Sequence, residues 1–217
     1  MVDAVLFDLD GTLVDTAPDL AHALNQQRLM HGLPEMPFEL IRPYASHGTV
    51  GLLQVGFSIS TDHPAFADLR SEYLGIFEEN ANPYSQLFPG MMELLDELET
   101  RGIPWGIVTN KPAHLTTPLL DALGLLDRAA SVISGDSCAY AKPHPEPILT
   151  ACREIGVLPS TCVYIGDAER DIEAAHACGM PAIIAEYGYI GPQDDPASWH
   201  ADGFIQAPTA LLEFLGY

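Results

Sequence analysis

The chain reads as an α/β protein: a doubly wound parallel sheet with a Rossmann-like core, into which an α-helical cap domain is inserted. Three observations predict this. Short apolar runs alternate with helical patterns, polar residues of catalytic type follow several of those runs directly, and one long stretch breaks the alternation with helices alone. At 217 residues the chain can bury one core and carry a smaller appendage.

Taken in order, Ala4-Val5-Leu6-Phe7 is brief, wholly apolar and stopped by Asp8-Leu9-Asp10-Gly11, the form of a strand covered on both faces. Residues 17–83 then read as helices over Asp19–Met30, Phe38–Tyr44, Val50–Phe57 and Phe66–Asn80. Gly32-Leu33-Pro34, Thr61-Asp62-His63-Pro64 and Asn82-Pro83 punctuate them. Residues 17–83 are therefore expected to form a small helical domain inserted after the first strand, into a core made of residues 1–16 and 84–217. Beyond the insertion, Met91–Leu98 has apolar spacing of i, i+3, i+4, and Leu115–Leu123 repeats it and stops at Gly124. Further strands are predicted at Trp105–Val108, Ser131–Ile133, Cys162–Ile165, Ala182–Ile184 and Gly203–Ile205.

Lys and Arg number 9 against 30 Asp and Glu, a formal net charge of −21. A nucleic-acid binder needs a basic face, and so does a protein docking on anionic lipid, so neither is expected as a partner. The first residues lack a cationic segment followed by an apolar one, and no run approaches the ~18 apolar residues of a membrane span. Cys138, Cys152, Cys162 and Cys178 show neither C-x-x-C nor zinc-ligand spacing. They read as four buried thiols of a protein in a reducing cytoplasm.

In a doubly wound sheet, ligands bind beyond the carboxyl ends of the strands, so the residues there carry the functional reading. After the first strand stand Asp8, Asp10, Gly11 and Thr12. Two carboxylates at i and i+2 of an extended segment point the same way and resist joint ionisation unless a cation intervenes. A calcium loop would need Gly and Glu at its sixth and twelfth positions; counting from Asp8, these are Leu13 and Asp19. After Trp105–Val108 come Thr109 and Asn110, a hydroxyl and backbone N–H groups able to hold phosphate oxygens, or simply turn residues. The chain has two lysines, Lys111 and Lys142, and both lie beside strand ends. After Cys162–Ile165 come Gly166 and Asp167, with Asp171 one helical turn further on; Asp167 could equally be a helix N-cap. Together these carboxylates, the hydroxyl and the ammonium suit a hard, oxygen-ligated cation, Mg²⁺ for choice, with a phosphate beside it.

The series Asp8-Leu9-Asp10-Gly11-Thr12-Leu13-Val14-Asp15, Thr109-Asn110, Lys142-Pro143 and Gly166-Asp167-x-x-x-Asp171 resembles the haloacid dehalogenase superfamily along the whole chain. The resemblance implies Asp8 as nucleophile towards phosphorus, giving an aspartyl-phosphate, and Asp10 as acid and then base. It implies Mg²⁺ held by Asp8, the Asp10 carbonyl and Asp167, with Thr109 and the Asn110 backbone on the phosphoryl oxygens. Lys142 would neutralise charge on Asp8 and the phosphate, and Asp171 would position Lys142 or a metal-bound water. Ala168 departs from the pattern, because many relatives carry a second consecutive Asp there; this shifts weight onto Asp171 for the cation.

Asp10 favours phosphoryl chemistry, since the eponymous dehalogenases lack it. The insertion at 17–83 resembles that family's small cap domain; relatives that isomerise sugar phosphates use cap residues including a lysine, and this cap has none, which argues against a mutase. A phospho-receiver module also clusters Asp, Thr and Lys but is shorter and has no inserted cap, and no nucleotide-binding glycine motif is present. The expected activity is Mg²⁺-dependent hydrolysis of a small phosphorylated metabolite. The chain resembles phosphoglycolate phosphatase-like proteins. Segments such as Trp105–Pro112, Lys142–Pro147 and Tyr187–Ile190 are similar to the N-acetylmuramic acid 6-phosphate phosphatase group. That sugar phosphate is the first substrate expectation and phosphoglycolate the second. The polar loop Ser46-His47-Gly48-Thr49 is expected to reach the substrate, with His47, Gly48 and Arg42 as contacts.

Overall fold

A computed structural model of the chain describes residues 2–80 and 83–217. Asn82, expected to punctuate the end of the insertion, lies outside the described residues. Strand β1 (Ala4–Phe7) leads through a two-residue strand β2 (Val14–Asp15) into helices α1 (Ala17–Met30), α2 (Phe38–Ile41), α3 (Gly48–Phe57) and α4 (Phe66–Glu79). The chain returns through β3 (Gln86–Leu87) and continues as α5 (Met91–Thr100), β4 (Trp105–Val108), α6 (Ala113–Ala122), β5 (Ser131–Ile133) and α7 (Glu146–Ile155). It ends with β6 (Cys162–Gly166), α8 (Glu169–Ala177), β7 (Ala182–Ala185), β8 (Gly203–Ile205) and α9 (Ala210–Phe214).

Six strands form one parallel sheet in the order β5-β4-β1-β6-β7-β8. Strand β1 is fully buried because alternate side chains enter two different cores. Val5 and Phe7 join Leu94, Leu98, Ile107 and Ile165 on one face. Ala4 and Leu6 join Val108, Ile148, Tyr164 and Ile172 on the other. The path from β1 moves outward through β4 and β5 and then crosses back to β6, which opens a crevice at the carboxyl ends of β1, β4 and β6.

The four inserted helices gather round an apolar cluster of their own, which includes Leu24, Ile41, Leu52, Tyr73 and Phe77. The two passages between core and insertion run side by side. β2 and β3 pair antiparallel, and buried Asp19 at the start of α1 accepts hydrogen bonds from the Tyr84 N–H (3.1 Å) and the Ser85 hydroxyl (2.5 Å).

One stretch differs from expectation. The helix predicted over Phe38–Tyr44 is α-helical only to Ile41 and continues as a 3₁₀ turn over Arg42–His47. The predicted loop Ser46-His47-Gly48-Thr49 is accordingly helical, the end of that turn running straight into α3. Gly48 makes the junction possible. Its φ of 57° and ψ of −151° lie where a side chain is strained, so the chain changes helix type without a linker.

Candidate active site

Asp8 follows β1 and is buried; its Oδ1 accepts a hydrogen bond from the Leu9 N–H (2.7 Å) and meets Lys142 Nζ at 2.9 Å. The same ammonium lies 2.7 Å from Asp171 Oδ1 and donates to the Val108 carbonyl (2.7 Å) and the Tyr164 hydroxyl (2.8 Å). The Lys142 side chain is wholly buried, so only this set of partners makes its charge tolerable there. Asn110 grips the backbone of the same residue: its side chain donates to the Lys142 carbonyl and accepts from the Lys142 N–H, each at 2.9 Å.

Asp167 leaves β6 and is buried. Ala168, not Asp167, takes the N-cap position of α8, and Asp171 accepts a hydrogen bond from the Ala168 N–H at 3.1 Å. Asp171 thus closes the helix start and braces Lys142, and Asp167 is left for other work. Its Oδ2 accepts from the Tyr189 N–H (2.9 Å) and the Ser46 hydroxyl (2.5 Å), while its Oδ1 is buried with no hydrogen-bond partner among the described residues. Gly11, with a φ of +82°, passes so close that a Cβ there would strike the Asp167 carboxylate.

Carboxylate oxygens of Asp8, Asp167 and Asp171 lie within 4.8 Å of one another. Burial, helped by the negative field of Asp171 and opposed by Lys142 and Arg170, pushes the Asp8 carboxyl up to about 6. Burial and the fields of Asp8 and Asp171 push Asp167 up to about 7, against the hydrogen bonds from Ser46 and Tyr189. Such a cluster resists full ionisation unless a cation joins it. The carboxylates of Asp8, Asp167 and Asp171, with Asp167 Oδ1 lacking a partner among the described residues, form an all-oxygen donor set that fits a hard divalent ion.

Asp10 is held differently. Its Oδ1 accepts from the Thr16 hydroxyl (2.6 Å) and from Lys111 Nζ (3.1 Å). Lys111 is itself buried and lies over the Phe77 ring of α4, 5.0 Å from its centroid. Buried Thr109 accepts the Lys111 N–H at 3.1 Å.

These residues open on a cleft of about 550 Å³ between core and insertion. Asp8, Asp10, Thr109 and Asn110 line its floor, and His47, Gly48, Arg70 and Tyr73 its other wall. The expected cap contacts fare unequally. His47 lines the cleft, but its Nε2 stands 3.4 Å from Asp194 Oδ1. Arg42 does not line the cleft. It donates to the carbonyls of Gly188 (3.0 Å) and Tyr187 (2.9 Å) and lies over the Tyr189 ring. Arg42, expected as a substrate contact, is placed here with its guanidinium on those carbonyls, more than 140 residues away in sequence, and not among the residues lining the cleft. The arginine facing the cleft is Arg70, exposed on α4 and without an ion-pair partner among the described residues.

Two further residues enter from outside the expected set. Lys111 was legible only as one of two lysines at strand ends. Arg170, whose guanidinium is 4.0 Å from Asp8 Oδ2, sits inside the Gly166–Asp171 segment with nothing in the sequence to separate it from a surface charge.

Residues 5–185 match the family described as haloacid dehalogenase-like hydrolase. The chain belongs to that family. It is 39% identical over 212 residues to the N-acetylmuramic acid 6-phosphate phosphatase of Pseudomonas aeruginosa, covering 98% of this chain and 94% of that one. It is 45% identical over 210 residues to a phosphoglycolate phosphatase of Xanthomonas campestris pv. campestris, covering 97% and 95%. A crystal structure described as a predicted phosphoglycolate phosphatase from Haemophilus somnus superimposes with a TM-score of 0.83 at 28% identity, over 99% and 98% of the two chains. The haloacid dehalogenase-like chain is thus a phosphomonoesterase of the type represented by these relatives. No helix among the described residues is long and apolar enough to cross a membrane.

Proposed function

We propose that this phosphatase hydrolyses a small phosphomonoester by way of an aspartyl-phosphate on Asp8, with the insertion acting as a cap that selects the substrate. The observation that carries the reading is Asp8 itself: a buried carboxylate, clamped by a lysine, facing a cleft with Asp10 two residues on. The Leu9 N–H and Lys142 fix Oδ1 and hence the carboxylate's rotation, which leaves Oδ2 for attack. As the bond from this oxygen to phosphorus forms, the ester oxygen leaves with a proton from Asp10. Asp10 then takes a proton from water, whose oxygen attacks phosphorus and returns Asp8 as carboxylate. Thr109 and the Asn110 backbone hold the phosphoryl oxygens.

Asp8, the Asp10 carbonyl and Asp167 would hold Mg²⁺, which supplies positive charge against the repulsion between a phosphate dianion and an anionic nucleophile. Lys142 and Arg170 contribute to the same end from the protein side.

For the substrate we infer a phosphorylated amino sugar, N-acetylmuramic acid 6-phosphate first. A cleft of about 550 Å³ is large for phosphoglycolate, and its distal wall offers Arg70, exposed and without an ion-pair partner among the described residues, to a carboxylate. Phosphoglycolate is the second reading, favoured by the relative at 45% identity that bears that name. The test is kcat/KM with Mg²⁺ for both compounds and p-nitrophenyl phosphate. Preference for the sugar phosphate supports the first reading, and preference for phosphoglycolate replaces it. No turnover of any phosphomonoester overturns both. Ca²⁺ should inhibit, since it accepts bidentate carboxylates and would occupy the attacking oxygen.

A further inference from the structure

The insertion does more than line the cleft, because one of its side chains touches the carboxylate cluster. Ser46 is buried at the end of the 3₁₀ turn, and its hydroxyl donates to Asp167 Oδ2 at 2.5 Å. The second donor to that oxygen is the Tyr189 N–H, from the core. The two donors occupy Oδ2 and leave Oδ1 without a hydrogen-bond partner among the described residues, in a carboxylate that clusters with Asp8 and Asp171. Of the two, only the Ser46 donor belongs to the insertion itself.

The seating of the insertion is built around the same loop. The Tyr189 hydroxyl accepts from the N–H groups of Thr16 (2.6 Å) and Ala17 (2.9 Å), where the chain enters α1, and donates to Asp15 Oδ1 (2.8 Å). Arg42, one helical turn before Ser46, clasps the carbonyls of Tyr187 and Gly188 and covers the Tyr189 ring. Ala17, Ala45, Phe88 and Tyr189 close over one another as a small apolar cluster at this junction. Residues 187–189 are therefore in contact with the insertion, the passage into α1 and Asp167 at once.

We propose that Ser46 is a positioning residue that makes the cation site a joint product of core and insertion. With the insertion seated, its hydroxyl fixes the rotation of Asp167 and so presents Oδ1 to a divalent cation. When the insertion lifts, Asp167 loses that restraint. Linkage makes the effect reciprocal: if seating raises cation affinity, the cation favours the seated insertion by the same factor. The inference rests on the cation reading given under Proposed function and adds to it the dependence on the insertion.

The test is Mg²⁺ titration by calorimetry, without substrate, on the wild type, Ser46→Ala, Arg42→Ala and Asp167→Ala. Hydrogen exchange over residues 42–50 is measured with and without Mg²⁺. Loss of a hydrogen bond that orients a ligand typically costs 10–100-fold in metal affinity, and Ser46→Ala should weaken Mg²⁺ by about that range. Arg42→Ala, which loosens the seat without touching Asp167, should weaken it in the same direction by less. Mg²⁺ should slow exchange over 42–50 in the wild type and not in Ser46→Ala. Melting of Ser46→Ala in chelator should stay near wild type, which separates orientation from a merely structural loss. Wild-type Mg²⁺ affinity in Ser46→Ala, with Asp167→Ala impaired, overturns this inference and leaves the cation reading standing. Equal absence of binding in the wild type and Asp167→Ala overturns both.

Discussion

The two walls of the cleft hold their charges under opposite constraints. On the core side, the Lys142 side chain is wholly buried and shares four oxygen partners, and Asp8 and Asp171 are buried against it. On the insertion side, Arg70 is exposed and unpaired among the described residues, and His47 is half exposed with one distant partner. A buried charge with every partner fixed can be placed to a fraction of an ångström, which is what phosphoryl transfer needs. An exposed charge is free to meet whatever the substrate carries. The difference assigns chemistry to one wall and choice of substrate to the other, and mutations on the two walls should therefore differ in kind as well as in size.

The largest effect belongs to the core. Asp8→Asn should lower turnover by about 10⁴–10⁶-fold for every phosphomonoester alike, as when a nucleophile is removed from a set of residues acting as a unit. Its fold should persist, since the amide relieves a carboxylate whose charge burial already disfavours. Next comes Lys142→Ala, which leaves Asp8 and Asp171 facing each other without a counter-charge. Denaturant unfolding should show a loss of about 3–5 kcal/mol, the usual result of breaking a buried ion pair from one side.

On the other wall the outcome should be selective. Arg70→Ala should raise KM by roughly tenfold or more for a substrate with a carboxylate, the worth of one charge-assisted hydrogen bond, and leave p-nitrophenyl phosphate unchanged. An equal loss for both would place Arg70 with the chemical wall and remove the contrast.

The remaining expectation is a pH dependence. The folded protein holds protons on Asp8 up to about 6 and on Asp167 up to about 7, both above the ordinary aspartate value of 3.8. The unfolded chain releases them first, so metal-free stability should fall as pH rises from about 4 to about 7 and then level off. Mg²⁺ competes with those protons, so its stabilisation in thermal melts should grow over the same window. A Mg²⁺ shift that shrinks with rising pH would contradict the assignment of these carboxylates to the cation.

The same contrast explains how much the sequence disclosed. The sheet was legible because β1, β4 and β6 are continuous apolar runs, and each stops at a residue of the site: Asp8, Thr109 or Asp167. Local order carries that information, and so does the helix turn from Asp167 to Asp171. The insertion was less legible. Arg42 and Arg70 are both arginines on helical stretches, and only tertiary structure shows that backbone carbonyls take one and the cleft receives the other. Ser46 looked like part of a polar loop because it falls between two expected helices, whereas here the positive φ of Gly48 joins two helical segments directly. The partners of Lys111 and Arg170 lie far along the chain, at Asp10 and Asp8, so no local pattern could announce them.

The central claim is that phosphorus passes through Asp8, and trapping the intermediate tests it most directly. Asp10→Asn should slow the water attack while still accepting p-nitrophenyl phosphate, whose leaving group needs little protonation; the general acid–base loss should be about 10²–10⁴-fold on ordinary esters. Acid quench of this variant during turnover, followed by peptide mass analysis, should find one phosphate on the peptide containing Asp8, removable by hydroxylamine. Turnover with no phosphate on that peptide, or with the phosphate on another residue, would contradict the account.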